Sequence, residues 1–123
     1  MSKQQALYKF WSGFGLAAYE QNNVPYDVIM PYITYAESIG AIGDNLTLTG
    51  SLWYFDEDGD RTDIVDKVNE IADAIGLGGM TVKYDDGMLW VKKGTPFAQA
   101  MDDPQDTRIK RQVLNLSAEY LSR

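Results

Sequence analysis

Between Leu46 and Phe55 the chain reads LTLTGSLWYF, in which apolar and polar residues alternate through the first half. Alternation with a period of two predicts a β-strand, because successive side chains of a strand point to opposite faces of the sheet. The two faces are Leu46, Leu48, Leu52 and Tyr54 on one side, and Thr47, Thr49, Ser51, Trp53 and Phe55 on the other. The C-terminal half of the strand is therefore apolar on both faces.

A helix is predicted directly after this strand. Asp60 is suited to the N-cap, and Gly76 is suited to the C-terminal end. Between them an apolar face repeats every three or four residues, as in a helix. That face consists of Ile64, Val68, Ile71 and Ile75.

The C-terminal third reads as three strands. Met80–Tyr84 and Met88–Lys93 flank Asp85-Asp86-Gly87, which predicts a β-hairpin with glycine in the left-handed conformation. The stretch Thr95–Thr107 contains two prolines and several acidic residues, and is predicted to be a loop. Arg108–Tyr120 alternates again and predicts a last strand, with one face made of Leu114, Leu116, Ala118 and Tyr120.

The N-terminal part begins with a short helix. Ser2 and Gln5 have the spacing of a capping box, and Gly13 and Gly15 end the helix. Its apolar face is Ala6, Leu7, Phe10 and Trp11.

A long ordered loop is predicted for Leu16–Pro31, because Asn22, Asn23, Pro25 and Pro31 fit poorly into regular structure. The β-prone run Pro31–Glu37 predicts the strand that precedes Leu46–Phe55. The turn between these two strands is assigned to Gly40, Gly43, Asp44 and Asn45.

Together these elements predict a single α+β domain over residues 1–123, in the order α-β-β-α-β-β-β. Strands joined by tight turns favour a mainly antiparallel sheet, flanked by two helices that cover one of its faces.

Charge and composition exclude several classes of protein. The 18 acidic and 11 basic residues give a net charge of −7, which disfavours direct nucleic-acid binding. Repulsion of DNA would still allow such a chain to line a channel for it. No cysteine is present, so disulfides and thiolate metal sites are excluded. The first residues lack the apolar core of a signal peptide or a membrane span, and a soluble chain is expected.

Catalysis is disfavoured because the chain has neither histidine nor cysteine. A carboxylate pair would still allow a small glycan hydrolase. The acidic residues available for it all fall in predicted turns or loops, where they are common for reasons of solvation. They are Asp56, Glu57, Asp58, Asp85, Asp86, Asp102 and Asp103.

The stretch Asp56–Asp60, DEDGD, resembles the start of an EF-hand calcium loop. The pattern requires glycine at the sixth position and glutamate at the twelfth, where this chain has Arg61 and Lys67. A polar turn at the start of the helix is the favoured interpretation, and no cofactor or metal ion is expected.

Association with other subunits is expected instead. A chain this short has few elements with which to cover both faces of a sheet, and two of its loops carry apolar residues. The alternative is that these loops fold back on their own domain. The candidate interface residues are Val24, Tyr26, Val28, Ile29, Met30, Trp53, Phe55, Thr95, Phe97 and Met101.

Several stretches resemble the tail terminator proteins of long-tailed bacteriophages and prophages, which are also called minor capsid or tail-completion proteins. The resemblance lies in Lys9–Leu16 (KFWSGFGL), Ala18–Glu20 (AYE), Val24–Pro25, Pro31–Tyr35 (PYITY), Ser51–Tyr54 (SLWY), Trp90–Gln99 (WVKKGTPFAQ) and the last strand. It spans nearly the whole chain.

This resemblance implies a structural protein of the virion, located where the tail joins the head and assembled in the host cytoplasm. Its expected partners are further copies of itself in a ring, typically a hexamer, together with the major tail tube protein and the head–tail connector protein. The ring would stop elongation of the tube and then offer a docking surface to the connector. Another connector, neck or minor capsid protein is the alternative within the same class, and neither specific nucleic-acid binding nor membrane association is expected.

Overall fold

Two helices and six strands make up the computed structural model, which describes residues 1–39 and 43–122. The helices are α1 (Lys3–Ser12) and α2 (Thr62–Ile75). The strands are β1 (Ala17–Glu20), β2 (Tyr32–Tyr35), β3 (Asn45–Phe55), β4 (Met80–Tyr84), β5 (Gly87–Ala100) and β6 (Ile109–Ser122). They form one sheet in the order β1-β2-β3-β6-β5-β4, and the α+β class is confirmed.

The predicted element order is wrong in one respect, because a strand lies within the stretch that was predicted to be a loop. β1 pairs with β2 in parallel, from Ala17 opposite Tyr32 to Glu20 opposite Tyr35. The remaining neighbours in the sheet pair antiparallel. The sheet, predicted to be mainly antiparallel, is mixed, with four antiparallel pairings and one parallel pairing among the described strands, and the order is α-β-β-β-α-β-β-β.

The loop predicted for Thr95–Thr107 is also wrong in its first half. β5 continues through Thr95 and Pro96 to Ala100 and remains beside β6. The register shifts between Lys93 and Ala98, so an irregularity in the ladder accommodates a proline that has no N–H to donate. Only residues 101–108 lie outside strands in this part of the chain.

The core lies on one face of the sheet, beneath both helices. The helices contribute Ala6, Leu7, Phe10, Trp11, Ile64, Ile71 and Ile75. The alternating inner residues of the strands complete the cluster, among them Ile33, Leu48, Leu52, Val82, Leu89, Val91, Leu114, Leu116 and Tyr120. This confirms that two helices cover one face.

Trp11 is the largest side chain of this core and is fully buried. Its ring stacks on Tyr35 at 6.0 Å between centroids, and its outer edge lies over Gly50 of β3. A Cβ at position 50 would lie 2.5 Å from the Trp11 ring, so the glycine provides the space that the indole occupies. Within residues 1–39 and 43–122 the indole N–H has no hydrogen-bond partner.

The helix ends follow local rules with one difference. The capping box of Ser2 and Gln5 is confirmed, and α1 ends before Gly13. α2 ends at Gly76 with φ +66°, but its N-cap is Arg61 rather than Asp60. Asp60 still accepts hydrogen bonds from the backbone N–H and the hydroxyl of Thr62, at 2.8 and 2.7 Å, and so satisfies the start of the helix.

The hairpin between β4 and β5 is confirmed, but the expected role of Gly87 is wrong. Tyr84 pairs with Gly87, and Gly87 is not among the glycines with positive φ. A Cβ there would lie 1.7 Å from the carbonyl oxygen of Leu121. The glycine therefore permits the close approach of β5 to β6.

The turn before β3 contains Gly43, with φ +88°. Gly40, which was assigned to the same turn, lies outside the described residues. Asn45 is already the first residue of β3.

Candidate interaction surface

The sheet has a second face, opposite the helices, which we call the open face. It carries the odd-numbered side chains of β3, including Trp53 and Phe55, as their alternation predicts. No residue of α1 or α2 belongs to this side, because their buried residues all pack in the core cluster with Leu52 and the other inner residues. Neighbouring residues of β3 thus serve two different environments.

Four side chains form a continuous row across the open face, and we call Tyr19, Tyr32, Trp53 and Arg111 the aromatic row. The Tyr32 and Trp53 rings stack at 6.2 Å with planes 16° apart, and Tyr19 meets Tyr32 edge to face at 6.1 Å. On the other side of Trp53, the guanidinium carbon of Arg111 lies 4.7 Å from the ring centroid. The row follows the register of the sheet, since Trp53 is paired with both Tyr32 and Arg111.

Hydrogen bonds fix this row in place. The indole N–H of Trp53 donates to the hydroxyl of Thr34 at 2.9 Å, and Nε of Arg111 donates to the hydroxyl of Ser51 at 3.1 Å. Burial raises the pKa of Tyr32 above its usual value. The ring therefore stays neutral at any physiological pH, and the row presents one positive charge at its Arg111 end.

Phe55 lies beyond the row, at the end of β3, and is 47% exposed. The guanidinium of Arg108 lies 5.3 Å from its ring centroid. Both oxygens of Asp106 accept from that guanidinium, at 3.0 and 3.1 Å, and these hydrogen bonds lower the pKa of Asp106. Phe55 is thus an exposed apolar group with an ion pair beside it.

Asp102 anchors the loop that follows β5. Its carboxylate forms an ion pair with Arg61 at the start of α2, accepts from the backbone N–H of Arg111 at 3.0 Å, and lies 3.6 Å from the ammonium group of Lys110. The anchored loop borders a cleft beside the row, lined by Trp53, Met101, Asp102, Asp103, Pro104 and Arg111. Met101, which the sequence singled out, therefore lies next to Trp53.

The connection between β1 and β2, residues 21–31, holds five of the predicted interface residues: Val24, Tyr26, Val28, Ile29 and Met30. Because β1 and β2 are parallel, this segment must run back along the whole strand pair. Tyr26 is 102% exposed and Ile29 is 84% exposed, whereas Val24, Val28 and Met30 are half-buried. The segment therefore presents two large apolar side chains to solvent.

Thr95 and Phe97 lie apart from both groups, in the irregular part of β5. Thr95 is exposed, but Phe97 packs against the core cluster. The structure thus places the predicted interface residues in three regions rather than on one surface.

The acidic stretch 56–60 is a hydrogen-bonded turn. Oδ1 of Asp56 accepts from the backbone N–H groups of Asp58 and Asp60, at 2.9 and 3.0 Å. Gly59, at φ +72°, allows the turn to close. Among the described residues no group of three or more acidic side chains is placed to hold a metal ion.

Sequence reasoning missed the partners that complete these surfaces. The sequence gives no signal for Arg111, and it marks Asp102 only as a candidate carboxylate of a hydrolase and not as an anchor of the 101–108 loop, since both roles depend on strand register and on the path of that loop. The alternation of β6 does place Arg111 on the face opposite Leu114. Its position beside Trp53 follows only from the pairing of β3 with β6.

Comparison with known proteins adds no relative: no protein-family model matches the chain, and neither does any curated protein. In the described part of the chain, neither helix has the length and apolarity required to cross a bilayer.

Proposed function

We propose that this chain is a tail terminator of a long-tailed bacteriophage or prophage. In this proposal, copies of the chain close into a ring on the end of the tail tube, stop the addition of tube subunits and give the head connector a surface on which to dock. The work is done by contacts between subunits and requires no catalysis. The partners are other copies of the chain, the major tail tube protein and the connector, within the virion at the tail–head junction.

The observation that carries the proposal is the one-sided sheet. Both helices pack on one face, and in residues 1–39 and 43–122 neither helix contributes to the open face, although Tyr32 and Ser51 on that face are already buried within the chain, at 9% and 4% exposed. A single-layer face with an exposed phenylalanine and an aromatic row is typical of a surface that a neighbour covers. The exposed Tyr26 and Ile29 provide a second apolar contact at the edge of the sheet.

The charge supports the same function. A ring at the tail–head junction surrounds the path of DNA, and a chain of net charge −7 would let DNA pass without binding it. Another connector or neck protein would share these properties. The distinguishing property is binding to the end of a tail tube.

The test begins with the oligomeric state of the purified chain, measured by size-exclusion chromatography with light scattering and by negative-stain images. It continues with assembly of the major tail tube protein alone and with this chain added. We expect rings, and tubes whose growth stops when the chain is present. A chain that neither forms rings alone nor binds tube ends would contradict the proposal, and binding to a connector but not to tubes would favour a neck protein.

Phe55→Ser and Val65→Ser form a matched pair for this test. Both side chains are partly exposed, at 47% and 39%, but Phe55 lies on the open face and Val65 on α2. We expect Phe55→Ser to weaken ring formation or tube capping at least about tenfold, which corresponds to about 1.4 kcal/mol. Val65→Ser should leave both unchanged, and equal effects from the two variants would exclude the open face as the contact.

A further inference from the structure

The two ends of the sheet differ in shape. At one end lie β1 and the 21–31 loop, from which Tyr26 and Ile29 project into solvent. At the other end lies β4, an edge strand with α1 packed beside it. The chain therefore has projecting apolar side chains at one edge of the sheet and a helix packed beside the edge strand at the other.

A groove lies between α1 and β4, and we call it the α1–β4 groove. Its volume is about 460 Å³, and it is lined by Lys9, Phe10, Gly13, Met80, Thr81, Val82 and Lys83. Its volume lies within the range of pockets that enclose small ligands, so it can accept one or two large side chains. Among its lining residues Phe10 and Val82 are buried and Met80 is half-buried, while Lys9 and Lys83 are exposed.

The charges of loop and groove are complementary. Asp27 is exposed between Tyr26 and the half-buried Val28 in the loop. In the residues that the structure describes, neither Asp27 nor the two groove lysines belong to an ion pair. In a protein of net charge −7, a groove flanked by two exposed lysines is a local site for an acidic segment.

We propose that the 21–31 loop of one copy inserts into the α1–β4 groove of the next copy, with Tyr26 and Ile29 in the groove and Asp27 beside Lys9 and Lys83. This inference rests on the proposed ring, since it states how neighbouring subunits are joined. The contact is heterologous, because a loop at one edge meets a groove at the other. Repetition of such a contact closes into a ring when a whole number of these rotations makes a full turn and the contact adds no rise along the axis.

Cysteine cross-linking tests the contact directly, because the chain contains no native cysteine. Ile29→Cys combined with Thr81→Cys should form disulfides between copies upon oxidation. A non-reducing gel should then show a ladder that ends at the ring. Ile29→Cys with Val65→Cys is the matched control, because Val65 lies on α2 and outside the groove, and it should give no ladder.

Charge reversal provides a second test that does not depend on oxidation. Asp27→Lys, or Lys9→Glu with Lys83→Glu, should each weaken assembly at least about tenfold, since like charges then face each other. The variant with all three changes should assemble again, because its charges are complementary with the signs exchanged. Variants that had lost the fold would not recover assembly in this way. Circular dichroism of each variant checks that the fold is intact.

The outcomes separate this inference from the proposed function. A ladder that forms with the Ile29–Thr81 cysteine pair but not with the control pair, together with recovery of assembly in the triple charge variant, supports the contact between the 21–31 loop and the α1–β4 groove. If the wild-type chain forms rings or caps tubes, but the ladder or the recovery of assembly is not seen, the loop–groove contact is wrong and the terminator proposal still stands. A wild-type chain that neither self-associates nor caps tubes would overturn both.

Discussion

Leu52 and Trp53 are neighbours in β3, yet they belong to two different parts of the molecule. Leu52 is fully buried under the helices, and Trp53 is half-buried on the open face between Tyr32 and Arg111. The first environment is made of aliphatic and aromatic contacts, while the second is made of stacked rings, hydrogen bonds and a guanidinium. The comparison suggests that one face maintains the fold and the other is available for contacts, and mutations on each face test this division.

The largest effect on stability is expected at Leu52. Leu52→Ala removes a fully buried side chain beneath α1 and α2 and leaves a cavity. We expect the free energy of unfolding to fall by about 2 to 5 kcal/mol, measured by urea denaturation. A loss below about 1 kcal/mol would show that the covered face contributes less than its burial indicates.

The next largest effect is a loss of stability at high pH that arises from Tyr120, which lies on the face of the sheet that the helices cover. Burial, with Tyr84 and Glu37 nearby, raises the pKa of Tyr120 to about 12, and its hydroxyl donates to the carbonyl of Ser38 at 3.1 Å. Since the pKa of a tyrosine in the unfolded chain is about 10, the stabilisation that the folded state gains from neutral Tyr120 is fully present below pH 10. It is lost as the pH rises toward 12, which should lower the free energy of unfolding by about 2 kcal/mol.

Denaturation at several pH values between 9 and 12 measures this loss. Tyr120→Phe should remove that part of the alkaline decline, at the expense of one hydrogen bond at neutral pH. Tyr8→Phe, at an exposed position on α1, is the control and should decline as the wild type does. If Tyr120→Phe declines equally, Tyr120 does not ionise with unfolding in this range.

The smallest effect is expected on the open face, between Trp53 and Arg111. A double-mutant cycle with Trp53→Ala and Arg111→Met should give a coupling energy of about 0.5 to 1 kcal/mol, the magnitude of a partly exposed cation–π contact. The matched control is Arg108→Met, because the Arg108 guanidinium lies over Phe55 instead. Coupling of Trp53 to Arg108 equal to its coupling to Arg111 would show a general charge effect.

The elements that sequence predicted well have strong local signals. The capping box at Ser2, the apolar face from Ile64 to Ile75 and the alternation of β3 each need only nearby residues to be recognised. These patterns were enough to predict the α+β class and a sheet covered by helices on one face.

The missed elements depend on contacts between distant parts of the chain. β1 is short and contains Ala17 and Ala18, which have weak strand propensity, so its conformation depends on parallel pairing with β2. Pro96 predicted a break, but the register shift allows β5 to continue beside β6. Local apolarity predicts the exposed Tyr26 and Ile29 as interface residues, but it predicts Phe97 as well, which packs against the core.

The placement of Trp11 and Trp53 has an optical consequence. Trp11 is sealed in the core against Gly50 and Tyr35, and Trp53 lies on the open face beside Arg111. Once the third tryptophan, Trp90, is replaced by phenylalanine, the fluorescence of Trp11 and Trp53 reports on two different events. Emission from Trp11 should change when the helices leave the sheet, while emission from Trp53, and its quenching by added acrylamide, should change when a neighbour covers the open face.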